Sequence, residues 1–222
     1  MLRSNIAIVN PKLTPVKRRY DASNRRKAAA RTRQAILDAA LELFSSQGYA
    51  ATPMTAIAAR AGVALDTVYA SVGRKPQLAR LLVETAISGS PDAIPAEERD
   101  YVQAIRAAPD AETKIAIYAS AMRGIAGRLA PVLGILQQAA PAEPELVAMW
   151  HQIAERRAAN MRRFADDLAA VATLRLAPGE AADIIWATNA PELYRLLTVY
   201  RGWSPERYEQ FLTDTWRRLL LP

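Results

Sequence analysis

The chain has 222 residues, 51% of them hydrophobic, so it is long enough to bury a substantial core. It has one histidine and no cysteine, which excludes disulfides and thiolate chemistry and leaves little for an enzyme or a metal site, so we predict no enzyme and no cofactor. The net charge of +7 is uneven: residues 1–80 carry fourteen basic and four acidic side chains, and residues 81–222 carry fifteen and eighteen.

A basic N-terminal third indicates that this end of the protein faces a polyanion, and DNA, RNA and anionic lipid are all open at this point. The apolar stretch Ile6 to Val9 is too short for a signal-peptide core, and no segment approaches the ~20 apolar residues of a membrane span. We therefore expect a cytoplasmic protein without a membrane partner.

Residues 1–22 contain prolines and basic residues with little apolar periodicity, which predicts either a functional basic arm or a solvated tail. Residues 23–80 form the next unit and open with a helix that ends at Gly48. A short helix follows Thr52-Pro53, a second starts near Leu65, and a longer one begins at Lys75. Two short helices joined by a tight glycine-containing turn form a helix-turn-helix.

In such a motif the second helix enters the major groove of DNA while the first crosses the backbone. Small side chains at Ala58, Ala61 and Gly62 permit the close approach of the two helices. The predicted exposed positions of the second helix, whose side chains can make few base contacts, are Ala64, Leu65, Asp66, Thr67, Tyr69 and Ala70.

Residues 36–78 resemble the signature of the TetR family of transcriptional regulators. The matching elements are the Ile-Leu-x-Ala-Ala-x-x-Leu-Phe pattern, Gly48-Tyr49, Thr52, Ile57-Ala58, Ala61-Gly62-Val63, Thr67-Val68-Tyr69 and Lys75 with Leu78. The sequence departs from the family at Ala64, where a serine cap is usual, at Asp66, where glycine is frequent, and at Val72, where phenylalanine is usual. For Asp66 we favour a helix-capping role over a contact to cytosine.

The resemblance implies phosphate contacts from Thr52, Thr67, Tyr69 and Lys75. Thr52 is equally a candidate helix cap, and Tyr69 is expected to combine phosphate contact with ring packing. The basic residues Arg25, Arg26 and Lys27, with Arg31 and Arg33, could follow phosphates or enter the adjacent minor groove.

Residues 81–222 show only helical patterns, so the predicted fold is all-α: an N-terminal three-helix helix-turn-helix domain followed by a helical domain. Predicted helices here cover about 97–107, 111–129, 131–139, 143–172, 178–200 and 204–220, the fifth with a break near Asn189-Ala190-Pro191. The resemblance implies that this domain binds a small molecule and forms a homodimer through its last two long helices, matching a palindromic operator.

Candidate ligand contacts are aromatic, sulfur-bearing or polar residues on inward-looking helix faces: Tyr118, Met122, Met149, Trp150, His151, Met161 and Trp186. His151 is the best polar anchor among them, although an isolated histidine is more often a surface or core residue. Four arginines, Arg156, Arg157, Arg162 and Arg163, are interpreted as a solvated helix face rather than a site for an anion.

The function implied by the resemblance is repression of transcription that a small-molecule ligand relieves. An alternative is a constitutive dimeric DNA-binding or architectural protein without a ligand, and a cavity lined by aromatic side chains would count against it. A third possibility is that the basic arm binds a membrane surface. Such binding needs a large apolar face, which the arm lacks.

Overall fold

The computed structural model describes residues 22–90, 94–139 and 143–222, and in these ranges it is helical without any strand. The all-α prediction is therefore confirmed. The helices in chain order are α1 (Ala22–Gln47), α2 (Met54–Ala61), α3 (Leu65–Val72), α4 (Lys75–Ser88), α5 (Asp100–Ala107), α6 (Ala111–Ala139), α7 (Pro144–Ala169), α8 (Pro178–Thr188), α9 (Pro191–Arg195) and α10 (Pro205–Leu220). A 3-10 turn, Ala96–Glu98, precedes α5, and a π-helical turn, Leu196–Tyr200, continues α9. Except for Ala22, the predicted basic arm lies outside the described residues.

Helices α1 to α4 form the head, whose boundaries follow from glycines and prolines in the sequence. Gly48 follows α1 with φ of +85°, and Gly62 ends α2 with φ of +69°, a conformation that costs glycine little. Pro53 precedes the first residue of α2, and Gln77 caps α4 by accepting a hydrogen bond from the Arg74 backbone N–H.

The body begins within α4 and is arranged around α6. Helices α4, α5 and α10 pack along α6, and α7 packs against α8. The core of the head extends into the body, because Leu133, Leu136, Leu146 and Met149 belong to the same buried cluster as the head residues. The predicted domain boundary after residue 80 falls inside α4, which joins the two parts without interruption.

The predicted interruption of α6 near Pro131 is wrong, since one helix runs from Ala111 to Ala139. Proline removes a single backbone donor, and packing on several faces of α6 outweighs that loss. The predicted break near Asn189 is confirmed, because α8 ends at Thr188 and α9 begins at Pro191.

No helix in the part of the chain that the structure describes is long and apolar enough to cross a membrane. Nor do the described histidine, aspartate and glutamate side chains cluster in a way that could hold a metal ion.

Candidate DNA interface and ligand cavity

The turn between α2 and α3 brings the two short helices into close contact. Ile57 and Val68 are fully buried, and Ala58, one of the small residues predicted to permit close approach of the two helices, is 5% exposed. On the outer side of α3, the side chains of Ala64, Asp66, Tyr69 and Ala70 are exposed, whereas Leu65 and Thr67 are half-buried. The head thus presents a short helix whose outer face carries few long polar side chains.

Lys75 lies at the edge of this face, at the start of α4. Its ammonium group is 4.5 Å from the centre of the Tyr49 ring and donates a hydrogen bond of 3.3 Å to the carbonyl of Ala50. Burial lowers the pKa of Lys75, and the field of Glu143 opposes that shift. Tyr69, which is 44% exposed, remains available to a phosphate group.

Thr52 does not occupy the position that either sequence interpretation gave it. Its side chain is fully buried, and its hydroxyl donates to the carbonyl of Gly48 at 2.8 Å. The Thr52 N–H donates to the carbonyl of Tyr49, and α2 follows Pro53 without a side-chain cap. Both donors of Thr52 therefore hold the turn after α1, so we remove Thr52 from the candidate phosphate contacts.

Helix α3 lacks the cap that its sequence position calls for. Ala64 has the extended backbone of a cap residue, but its side chain cannot accept a hydrogen bond. Asp66 lies in the first turn, exposed, and within the described ranges no backbone N–H donates to its carboxylate. The capping role expected for Asp66 is therefore wrong in this structure, and its carboxylate offers only a favourable interaction with the helix dipole.

The N-terminal end of α1 carries a basic, solvent-exposed surface. Arg25, Arg26 and Lys27 are all exposed on the first two turns of the helix, and none of these turns contains an acidic residue. These cations belong to a helix rather than to an irregular arm, so their spacing is fixed by the helical repeat.

The body contains a cavity of about 830 Å³ between α4, α5, α6 and α7. Four of the candidate ligand residues line it, namely Tyr118, Met122, Trp150 and Met161. One wall comes from α4, the helix that joins the head to the body, because Leu81, Glu84, Thr85, Ile87 and Ser88 line the same space. The size falls within the range of small-molecule sites.

A buried polar cluster lies on the wall of the cavity, where α6, α7 and the end of α8 meet. Asn189, only 4% exposed, donates from its amide to the hydroxyl of Tyr118 and to the sulfur of Met161, both at 3.1 Å. Its amide oxygen accepts a hydrogen bond of 3.0 Å from the guanidinium group of Arg157. The same guanidinium group donates to the carbonyl of Trp186 and lies 4.7 Å from its ring.

The remaining candidate ligand residues lie elsewhere. His151 is exposed and Met149 is buried in the core shared with the head, and neither lines the cavity. Position on α7 explains this, since successive residues of a helix point about 100° apart and Trp150 takes the inward direction. Trp186 stands behind the cavity and reaches it only through Arg157.

Sequence interpretation missed Arg157 and Asn189. Arg157 was assigned with Arg156, Arg162 and Arg163 to a solvated helix face, yet it is mostly buried and lines the cavity. In the sequence, Asn189 was interpreted only as part of a helix break. The sequence spacing did carry a signal for Arg157. It lies four residues before the candidate ligand residue Met161 and therefore on the same face of the helix.

A group of exposed apolar side chains lies on the C-terminal part of the body. Leu196, Val199 and Tyr200 of the π-helical turn are 54%, 66% and 68% exposed, and Leu219 of α10 is 45% exposed. We call these four residues the C-terminal apolar surface. Also on α10, Tyr208, Leu212, Trp216 and Leu220 are fully buried in the core of the body.

Similar folds occur among solved structures of bacterial regulators. NalD, the secondary repressor of the MexAB-OprM multidrug efflux pump in Pseudomonas aeruginosa, is 20% identical over 88% of this chain and 98% of its own, with a TM-score of 0.66. SmeT in its triclosan complex is 20% identical over 86% and 92%, with a TM-score of 0.67. A regulator from Saccharomonospora viridis in complex with choline is 17% identical over 86% and 97%, with a TM-score of 0.63. A search of curated proteins gives no significant match.

The described part of the chain thus combines a helical head that contains a helix-turn-helix with a helical body that contains a cavity. Residues 36–80 match the family model of bacterial regulatory proteins of the tetR family, a range that covers the second half of α1, the helix-turn-helix and the start of α4. The family match is confined to this N-terminal part of the chain, and the chain as a whole shares its helical fold with the solved regulators.

Proposed function

We propose that the protein is a cytoplasmic repressor that binds a palindromic operator as a homodimer and is released when a small molecule enters the cavity of the body. The observation that carries this proposal is the shared wall: α4 belongs to the DNA-binding head and also lines the cavity. A ligand in the cavity therefore contacts a helix of the head directly. Triclosan and choline are bound by two proteins of similar fold, which supports a ligand for this body as well.

Dimerisation is supported by the C-terminal apolar surface. Four of the seven large hydrophobic side chains that are exposed in the described part of the chain lie there, within the helices expected to pair. Clustering of exposed large apolar side chains in one part of a chain is typical of an interaction site, and a twofold interface would place two α3 helices on one face of DNA. The candidate DNA contacts are Tyr69 and Lys75 with the half-buried Thr67, while Ala64, Leu65 and Asp66 face the bases and Arg25, Arg26 and Lys27 approach the backbone.

Release requires that the ligand prefers one arrangement of the heads over another. A ligand that fits the cavity only when α4 is displaced would shift the population towards heads that do not match the operator spacing. A coupling of ~1 to 3 kcal/mol between the two sites is enough for regulation.

The test of operator binding is selection of duplexes from a random pool by the purified protein at physiological salt. A recovered palindrome with half-sites about one helical turn apart supports a dimeric operator-binding regulator. Salt-sensitive binding without any motif would instead support the architectural alternative.

Lys75 offers a check on the geometry of that complex. Lys75→Met should weaken binding to every duplex and reduce the slope of log affinity against log salt by roughly one unit, because one phosphate contact is lost. The matched control is Arg106→Met, which removes an exposed cation of the body and should leave the slope unchanged. An unchanged slope for Lys75→Met would remove Lys75 from the phosphate contacts.

A further inference from the structure

The guanidinium group of Arg157 stands on the cavity wall without an anionic partner. Among the described residues, no carboxylate lies within 4.0 Å of it, and its Nε is buried with no hydrogen-bond partner. Its hydrogen bonds go to two neutral oxygens, the amide of Asn189 and the carbonyl of Trp186. A buried cation is normally paired, so this charge is incompletely compensated.

Nearby acidic groups do not supply the missing partner. Glu192, whose field reaches Arg157, accepts a hydrogen bond from the Gln137 amide instead. Glu84 on the cavity wall pairs with Arg156 at 3.8 Å. Burial accordingly lowers the pKa of the Arg157 guanidinium, and the fields of Tyr118 and Glu192 only partly offset this effect.

The cavity lining as a whole carries an excess of positive charge. Its acidic residues are Glu84, Glu97 and Asp167, and its basic residues are Arg33, Arg99, Arg106, Arg156, Arg157 and Arg163. Six arginines against three carboxylates make the lining attractive to an anion and unfavourable for a cation.

A second donor lies beside Arg157. The hydroxyl of Tyr118 is directed at the sulfur of Met161 at 3.1 Å, and a thioether is a weak acceptor. An acidic oxygen atom in the cavity would be a stronger acceptor for the same proton. The ring centres of Phe164 and Tyr118 are 4.5 Å apart, and Ile125 and Leu129 add apolar surface elsewhere in the lining.

We infer that the cavity binds an organic anion with an apolar body, whose acidic oxygens are held by Arg157 and Tyr118. This inference rests on the proposed function, because it assigns a chemical class to the ligand of the same cavity. The guanidinium fork matches the geometry of an acidic group with two or more oxygens, and charge-assisted bonds of this kind are among the strong ones.

The test uses two fluorescent probes with the same aromatic body, 8-anilinonaphthalene-1-sulfonate, which is anionic, and N-phenyl-1-naphthylamine, which is neutral. The measured quantity is the ratio of dissociation constants between each variant and the wild-type full chain. Arg157→Met should raise the dissociation constant of the anionic probe by about tenfold or more. It should change the dissociation constant of the neutral probe by no more than about twofold. Arg162→Met removes an exposed arginine of the same helix that does not line the cavity, and it should change the dissociation constant of neither probe by more than about twofold.

Two further variants keep the test decisive. Tyr118→Phe retains the ring and should also weaken binding of the anionic probe but not of the neutral one. This variant provides the test if circular dichroism shows that Arg157→Met does not fold. Met122→Trp fills the cavity and should abolish binding of both probes. Retention of the anionic probe by Met122→Trp would place it on another surface and overturn the inference.

The outcomes separate the inference from the proposed function. If neither probe binds the wild-type protein, the cavity is not a ligand site and both proposals fail. Equal effects of Arg157→Met on the two probes, or no effect on either, would leave a ligand cavity in place and overturn only its preference for anions.

Discussion

Buried polar side chains of the head differ in whether they have a partner. Thr52 is fully buried and donates to the carbonyl of Gly48, so its burial costs little. The hydroxyl of Tyr49 is also buried, but no hydrogen-bond partner for it occurs among the described residues. Sequence reasoning assigned Thr52 to the surface because a hydroxyl before a proline resembles a helix cap. Only the path of the chain after α1 shows that the side chain turns inward.

Tyr49→Phe should raise the free energy of unfolding at pH 7 by up to about 1 kcal/mol, because it removes an unpaired buried hydroxyl and keeps the ring. Burial, with smaller effects of Glu143 and Glu145, raises the pKa of Tyr49 to about 12. The phenolate is therefore disfavoured in the folded state, and the resulting stability is present below pH 10 and lost between pH 10 and about 12. The variant has no such loss at this position.

Urea unfolding at pH 7 and at pH 11 measures both effects of Tyr49→Phe. Tyr69→Phe is the matched control, since the exposed Tyr69 should give no change in stability at pH 7. A less stable Tyr49→Phe protein at pH 7 would show that the hydroxyl has a stabilising partner.

At the scale of helices, the sequence predicts ends better than it predicts interruptions. Gly48 and Gly62 stop helices because their positive φ values suit glycine, a local property that needs no knowledge of neighbours. Pro131 has an equally local cost, but α6 is held by contacts on several sides and continues through it. Whether packing outweighs a proline depends on residues far away in sequence, and this explains the wrong prediction at Pro131.

Ala64→Ser should stabilise the head by about 0.5 to 1 kcal/mol, because the serine hydroxyl would accept a hydrogen bond from the uncapped first turn of α3. The backbone of Ala64 already has the extended conformation of a cap residue, with φ of −67° and ψ of 148°. Thermal and urea unfolding of the full chain measure the change. The control Ala59→Ser, at an exposed position inside α2, should destabilise slightly because serine is a poorer helix former. If both serines lower stability, α3 does not lack a cap.

For the whole molecule, the sequence indicated a ligand-binding body but not the centre of its site. Tyr118, Met122 and Trp150 were found because aromatic and sulfur-bearing residues commonly line pockets, and all three line the cavity. The polar centre joins Arg157 of α7 to Asn189 after α8, which are 32 residues apart. Their pairing results from the packing of α7 on α8, a long-range contact that no local pattern encodes.

Val199→Glu should convert the proposed dimer to monomers, because it places a charge among the exposed apolar side chains of the π-helical turn, where the valine is 66% exposed. The monomer should remain folded, since Val199 takes no part in the described core. Sedimentation velocity measures the mass, and binding to the palindrome should weaken by about tenfold or more as the second head is lost. Val171→Glu alters another exposed valine, which is 41% exposed and lies outside this surface, and should remain dimeric. A dimeric Val199→Glu protein would place the interface elsewhere.

The link between cavity and head can be tested at Arg128, which belongs to α6 and does not line the cavity. Its Nε donates at 2.9 Å to the carbonyl of Ala86 in the last turns of α4, so it ties the lining helix of the body to the helix of the head. Arg128→Met should leave the affinity for the anionic probe within about twofold. In the wild type, we expect the probe to lower the affinity for the operator by about tenfold. Arg128→Met should remove most of this effect.

Titration of the operator with and without saturating probe measures this coupling for each variant. Arg123→Met is the control, because Arg123 also lies on α6 but pairs with Glu206 and Glu209 of α10, away from the head. Coupling is a property of two arrangements of the molecule, and a contact contributes to it only if it differs between them. An Arg128→Met protein that responds to the probe like the wild type would show that α4 transmits the signal through its apolar packing on α6 alone.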